Sequence, residues 1–350
     1  MRAPATGSES GLLTGNQLLT GNSLLTGDCL TLLAKLPEGS IPLTVTSPPY
    51  DDLRRYDTPT PLDLAALGQQ LYRVTQEGGI CAVVIGDASR RYAKSLSSFR
   101  LALDWCDNAG WRLFETCLYH RHGIPGPWWR TCFRVDHEYI FLFLKGGRPR
   151  AFHKETLFIP TKHAGEPAPR WPYPRKGKPR IVPPPTVQPL QCRGTVWPYA
   201  TSSAERNRVK LQHPATMPDA LAGDLIACFS EPGDLVLDPL MGSGTTCVMA
   251  ARLGRHYMGM DASARYVELA RRRLDTEVSE IDVRNAKGEP VVAPGAADCP
   301  RRRVDGLRRG KKWHENKGHG WVRMTRRQRE QSLGIKQPPG IQFPPNWWMR

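Results

Sequence analysis

An α/β fold with a doubly wound, mostly parallel sheet is predicted by three observations. Strand-like and helix-like segments alternate through 27–147. They alternate again through 217–274. In each block one strand runs straight into a sharp turn, built from prolines in the first and from glycines in the second.

In the first block the pattern predicts a short helix over Cys29–Leu36, a strand over Ile41–Thr46 and an amphipathic helix over Leu62–Gln76. A buried strand over Ile80–Ile85 follows Gly78-Gly79, then a helix over Ser95–Ala109 and strands over Arg112–Tyr119 and Glu138–Leu144. The second block gives a helix over Asp219–Phe229, a strand over Leu235–Leu237 and a helix over Thr245–Leu253. A strand over Tyr257–Met260 and a helix over Ala264–Leu274 complete it.

Three regions depart from this alternation. The N-terminus repeats Leu-Leu-Thr-Gly-Asn at 12–16 and 18–22, and Leu-Leu-Thr-Gly-Asp at 24–28, too short a period for a solenoid. It reads as a duplicated leader, 1–26, of which only the last copy joins the fold. Between the blocks, 148–212 turns basic and proline-rich: residues 151–210 hold 11 Lys/Arg against 3 Asp/Glu, with Trp171, Tyr173, Trp197 and Tyr199 interleaved. From 276 to 350 the chain is again basic and rich in glycine and proline, a composition expected to be mobile in isolation. The expected organisation is therefore a leader at 1–26, a first half at 27–147, a basic insert at 148–212, a second half at 213–275 and a tail.

The 350 residues carry 49 Lys/Arg against 33 Asp/Glu, a formal charge of +16, which favours a polyanionic partner. Nine cysteines form no C-x-x-C pair, and four lie in or beside apolar runs, so buried free thiols are expected in place of disulfides or a metal site. The chain shows neither an apolar run of about 18 residues nor a charged-then-apolar start, so the expected location is the cytoplasm.

The glycine turn is Val236-Leu237-Asp238-Pro239-Leu240-Met241-Gly242-Ser243-Gly244-Thr245-Thr246. Gly242 and Gly244 let the backbone bend and approach a ligand, and the following helix offers free N–H groups there. It lacks the G-K-[ST] of a phosphate loop. The next strand ends at Asp261, an acid suited to ribose hydroxyls. These features indicate a nucleotide-type cofactor.

The proline turn is Val45-Thr46-Ser47-Pro48-Pro49-Tyr50. Successive prolines stiffen the chain and cannot donate, so this turn presents fixed acceptors at the carboxyl end of a strand. An exocyclic amine on a base is a poor nucleophile because its lone pair is delocalised. The Ser47 hydroxyl and Pro48 carbonyl could hold its two hydrogens and favour a pyramidal nitrogen, while Tyr50 offers a face for stacking a base.

Together these motifs resemble the amino-methyltransferases of DNA, the N4-cytosine and N6-adenine enzymes, over about 27–147 and 213–275. The resemblance implies a Rossmann-like, circularly permuted methyltransferase fold and S-adenosyl-L-methionine as cofactor. It implies that Ser47, Pro48, Pro49 and Tyr50 form the catalytic motif, and that Asp238–Thr246 forms the cofactor loop, with Asp238, Pro239, Gly242, Ser243, Gly244 and Thr245 at the cofactor. Asp261 corresponds to the ribose-binding acid and Asp28, after Gly27, to the acid near adenine. His213 and Thr216, within His213–Pro218, line the methionine end. Arg134–Lys145, with His137-Glu138-Tyr139, resembles the late strand of the catalytic half. The catalytic motif precedes the cofactor loop, the order of the family's beta group, which places target recognition in the insert. Ser at the head of the motif goes mostly with cytosine N4, adenine N6 being the alternative. Leu240 stands where the family usually has Phe, and the insert is short for a recognition region.

The implied partners are double-stranded DNA, from which the target base is extruded, and a cognate restriction endonuclease. Arg170, Arg175, Lys176, Lys178 and Arg180 are candidates for phosphate contacts, and Arg193, Arg206 or Arg208 for a guanine contact. Trp128-Trp129 is either a packed loop or a filler of the gap left by the base. Two other readings share the motifs: the same chemistry on RNA or a protein amide, and a DNA-binding module without turnover.

Overall fold

The computed structural model describes residues 21–49, 62–121, 133–168, 186–200, 213 and 216–278. In chain order they form β1 (Ser23–Thr26), α1 (Cys29–Leu33), β2 (Ile41–Thr46), α2 (Leu64–Val74), β3 (Thr75–Ile85), β4 (Ser89–Arg90), β5 (Ala93–Lys94) and α3 (Ser97–Asn108). Next come β6 (Arg112–Arg121), β7 (His137–Leu144), β8 (Phe158–Pro160), β9 (Leu190–Cys192) and β10 (Val196–Tyr199). The second block supplies α4 (Asp219–Phe229), β11 (Leu235–Asp238), α5 (Thr245–Arg252), β12 (His256–Asp261) and α6 (Ala264–Glu277).

One eight-stranded sheet, ordered β1-β12-β11-β2-β3-β7-β6-β10, carries the fold. Its neighbours are parallel except for the two pairs made by β7. Alternation along β3 shows how one strand serves two cores. Ile80, Ala82 and Val84 pack with Leu221, Leu225 and Phe229 of α4. Cys81, Val83 and Ile85 pack with Leu33 of α1, Leu71 of α2 and Trp105 of α3 on the other face. Both faces are thus covered, as a parallel sheet requires.

β2 is central, and all six of its residues are buried. Pro42 can donate no ladder bond, and the β2–β3 register shifts between Ile41 and Leu43. Gly79 sits against this irregularity: a Cβ there would lie 2.9 Å from the Pro42 carbonyl oxygen. β3 starts at Thr75, not Ile80, because the strand passes through both glycines, Gly78 taking φ 76°.

Two strands of this sheet form where the sequence pattern predicts none. β1, from the last copy of the N-terminal repeat, pairs with β12, Thr26 opposite Asp261. β10, inside the basic insert, pairs with β6 at the opposite edge, where its Pro198 is tolerated. The interleaved aromatics Trp197 and Tyr199 are accordingly core residues, 5% and 2% exposed.

Among the described residues seven cysteines are free and five of them are buried. In that set no helix is long and apolar enough to cross a membrane, and no cluster of His, Cys, Asp or Glu has a metal-binding arrangement. Tyr50, Trp128, Trp129, Arg170, Arg175, Lys176, Lys178, Arg180, Arg206, Arg208, residues 1–20 and residues 279–350 lie outside the described residues.

Candidate active site

The two motif turns leave adjacent parallel strands at the same edge of the sheet. Leu237 of β11 lies opposite Thr44 of β2, and Thr46 lies opposite Val83 of β3. The chain therefore passes from Thr46 into Ser47-Pro48-Pro49 beside the point where Asp238 opens the glycine bend.

Two buried hydroxyls join these turns across large sequence separations. Thr46 Oγ1 donates to Asp238 Oδ1 at 2.9 Å. Thr246 Oγ1, in the first turn of α5, donates to the Val45 carbonyl at 3.1 Å. Asp238 also accepts from the Leu240 N–H at 3.1 Å. Burial pushes the Asp238 carboxyl up to about 6, against the downward pull of the Thr246 and Thr46 hydroxyls.

The bend itself is buried from Met241 through Thr245. Gly242 and Gly244 have φ 48° and 75°, the left-handed region in which side chains are strained. A Cβ on Gly242 would lie 2.8 Å from the His213 ring, and one on Gly244 would lie 2.6 Å from the Ala270 Cβ. His213 packs edge-on against Tyr266 with centroids 4.4 Å apart. Thr216, half-buried, follows shortly and leads into α4.

Asp261 closes the bend from the neighbouring strand, its Oδ2 accepting the Gly242 N–H at 3.0 Å and its Oδ1 the Ser263 N–H at 2.8 Å. Asp28 caps α1 by accepting the Thr31 N–H at 2.8 Å. Both acids bear on Cys29, whose thiol rises to about 11, first through burial, then through Asp28 and, more weakly, Asp261. Asp28 and Asp261 thus stand together beside the ends of β1 and β12, while Asp238, at the end of β11, is buried.

Arg273 braces the bend from behind. Its side chain is fully buried, and it donates to the Ser243 carbonyl at 2.9 Å and Thr245 Oγ1 at 3.1 Å. Glu277 and Asp219 hold the rest of the guanidinium at 2.7 Å and 3.4 Å.

The structure thus brings Ser47, Pro48 and Pro49 to one edge with Asp28, Asp238, Pro239, Gly242, Ser243, Gly244, Thr245 and Asp261, and places His213 against Gly242. It removes Arg193 from the DNA-contact set. That guanidinium is packed over the Trp197 and Tyr199 rings, at 4.9 Å from each, and donates to Asp224 at 2.8 Å, so a major-groove contact would break a partly buried ion pair.

Thr46 and Thr246 lie inside the two quoted turns, but their bonds across the turns escape sequence reasoning, and so does Arg273. Thr46 leaves a weak signal, as one of two threonines, with Thr44, in a strand otherwise apolar enough for full burial. Arg273 leaves a better one: it occupies the i+3 position after Ala270 on the face of α6 that also buries Tyr266, Val267 and Leu274.

Rims lined with carboxylates repel phosphate and suit a cofactor with positive charge, and a sulfonium carrying a ribose diol satisfies both demands. The geometry therefore defines a nucleotide-type cofactor cradle beside a proline-stiffened corner.

Residues 41–272 match the DNA methylase family of N6 and N4 amino-methyltransferases, and the chain belongs to that family. It is 35% identical to the orphan methyltransferase M.BamHII of Bacillus amyloliquefaciens, over 67% of this chain and 89% of that protein. Identity to the Type II methyltransferase M.XycI of Xanthomonas campestris pv. cyanopsidis is 27%, over 80% of this chain and 96% of the relative. Among solved structures, the DNA modification methylase TTHA0409 of Thermus thermophilus complexed with S-adenosyl-L-methionine matches with TM-score 0.51 and 25% identity, over 73% of this chain and 94% of the other. The cytosine-N4-specific PvuII DNA methyltransferase shares the fold with TM-score 0.55 and 22% identity, over 77% and 94%. The chain is an S-adenosylmethionine-dependent DNA methyltransferase with the methyltransferase fold.

Proposed function

We propose that this enzyme methylates the exocyclic N4 of cytosine in a base extruded from double-stranded DNA, and that the two turns divide the work. The observation that carries the reading is the Thr46–Asp238 hydrogen bond, which fixes the head of the proline turn against the cofactor bend.

The cofactor supplies an electrophilic methyl on a sulfonium sulfur. Asp261 and Asp28 would hold the ribose and adenine end, while His213 and Thr216 would border the methionine end. Asp238, Pro239, Gly242, Ser243, Gly244 and Thr245 shape the backbone cradle. The Ser47 hydroxyl and Pro48 carbonyl accept the two amine hydrogens and turn the nitrogen lone pair toward the methyl. Pro49 stiffens the corner and Tyr50 supplies the stacking face. Positioning of this kind supplies roughly 7–11 kcal/mol, so no covalent nucleophile is needed. Forming the N–C bond would break the S–CH3 bond and leave a neutral thioether, and the methylated nitrogen would give up one proton to solvent.

Ser47 at the head of the motif supports cytosine over adenine N6. Arg170, Arg175, Lys176, Lys178, Arg206 and Arg208 are proposed to meet phosphates or bases, giving the insert its recognition role. The relatives include both an orphan enzyme and Type II enzymes, and a cognate endonuclease is proposed on the Type II precedent alone.

Incubation with methyl-labelled cofactor and mixed-sequence DNA, then digestion to nucleosides, tests the acceptor. Label in N4-methylcytosine is expected; label in N6-methyladenine alone would replace the cytosine reading, and label only in RNA or protein would overturn the DNA reading.

A further inference from the structure

β3 ends at Ile85, and four residues on the chain forms the hairpin β4–β5, Ser89 opposite Lys94 and Arg90 opposite Ala93. Its two turn residues, Arg91 and Tyr92, have φ 47° and 64°, both left-handed. A two-residue turn with both φ positive is normally filled by Asn-Gly. Arg and Tyr adopt that region rarely, and such strain persists mainly where a side chain is needed in place. Leu96, just beyond, is the one other non-glycine residue with positive φ among the described residues.

The hairpin is firmly seated. Asp87 accepts from the Ser98 N–H at 2.9 Å and the Ser98 hydroxyl at 2.7 Å. Ser95 N–H donates to the Ala88 carbonyl at 3.0 Å, and Arg100 donates to the Ser95 carbonyl at 2.8 Å. What this base holds out is cationic and aromatic: Arg91 and Lys94 are exposed and Tyr92 is 82% exposed, in a segment without an acidic residue from Ala88 to Lys94. It stands on the same sheet edge as Ser47, since Thr46 pairs with Val83 two residues before β3 ends.

We propose that the hairpin Ser89–Lys94 is a duplex-DNA contact element at the catalytic rim, with Arg91 and Lys94 against phosphates and the Tyr92 ring stacked on a base exposed beside the extruded one. The inference rests on the reading that the acceptor base is drawn from double-stranded DNA.

The test uses the full chain and a fluorescent random-sequence duplex of about 30 base pairs, long enough to cover several phosphate contacts on either side of one extruded base. Replacing Tyr92 or Arg91 by Gly relieves the backbone, so R91G/Y92G should keep or raise the thermal midpoint and leave cofactor affinity unchanged. Its duplex affinity should nevertheless fall about tenfold, within the range that stacking one base on an aromatic ring is worth. Lys94→Ala should lower the slope of log K against log salt by about 0.9, one phosphate contact. Tyr92→Phe, which keeps the ring, should bind nearly as the natural chain does. Unchanged affinity and slope in R91G/Y92G and Lys94→Ala, with the natural chain methylating DNA normally, overturns the hairpin alone. If the natural chain neither binds nor methylates duplex DNA, both readings fall, and an RNA of the same sequence bound through the hairpin would likewise overturn the DNA assignment.

Discussion

The glycine bend and the proline corner sit on neighbouring strands yet are built in opposite ways. The bend, Met241–Thr245, is buried and braced by Arg273 from behind, by Asp261 from the side and by His213 against Gly242. The corner, Ser47–Pro49, is half-exposed except at Pro48, and its links to the bend run through the two residues before it, Val45 and Thr46. A cofactor that returns every cycle suits a preformed cradle held by side chains. An acceptor that must swing in from a duplex suits an open corner stiffened by its own prolines.

That contrast can be broken most forcefully at Arg273. Arg273→Met removes the cation from Asp219 and Glu277 inside the protein, and losing one partner of a buried ion pair costs about 3–5 kcal/mol. Denaturant unfolding should show that loss together with weakened cofactor binding; a change below about 1 kcal/mol would mean the bend stands without its brace.

Ser47→Ala probes the other side. Removing one positioned hydrogen-bonding group should lower kcat about 100-fold, equivalent to about 2.7 kcal/mol, with little change in fold or cofactor affinity. Titration calorimetry showing an equal loss of cofactor affinity would move Ser47 into the cradle.

The buried Asp238 couples both sides to pH. Its folded carboxyl titrates at about 6, above the ordinary 3.8, so the folded state holds the proton more tightly. Its contribution to stability is therefore full below about pH 4, is lost as pH rises toward 6 and stays lost above. Relative to Asp238→Asn, the natural chain should lose about 2–3 kcal/mol between about pH 4 and about pH 7, measured by unfolding at each pH. A flat difference would show that Asp238 is better solvated than its burial implies.

The smallest effect is expected at the seam. Thr46→Val keeps the shape and removes the donor, costing about 1–2 kcal/mol and raising the Asp238 carboxyl further, since the Thr46 hydroxyl pulls it down. No loss in kcat would show that the corner keeps its place without that link.

Much of this is legible in the residues. Ile41–Thr46 and Asp219–Phe229 match their expected bounds because periodicity and punctuation agree there. Both chemical turns are legible because glycine and proline mark backbone geometry directly. The edges are not. Val196-Trp197-Pro198-Tyr199 has the composition of a nucleic-acid-binding loop, and only pairing with β6 makes it a strand. Arg193 looks like a surface cation until Asp224, 31 positions away, closes on it. Nor can periodicity show the Thr46–Asp238 bond, which spans 192 positions.

The pairing of β1 with β12 has a consequence for how the enzyme is made. Ser23 finds its partner only at Met258, so at about 5–20 residues per second a ribosome delivers that partner roughly 10 to 50 seconds after the first strand emerges. Through that interval β2, whose six side chains end up entirely buried, has β3 on one flank and no β11 on the other. The nascent chain thus spends most of its synthesis with an apolar edge uncovered, and expression yield should depend on chaperone supply and growth temperature more steeply than the finished protein's stability would suggest.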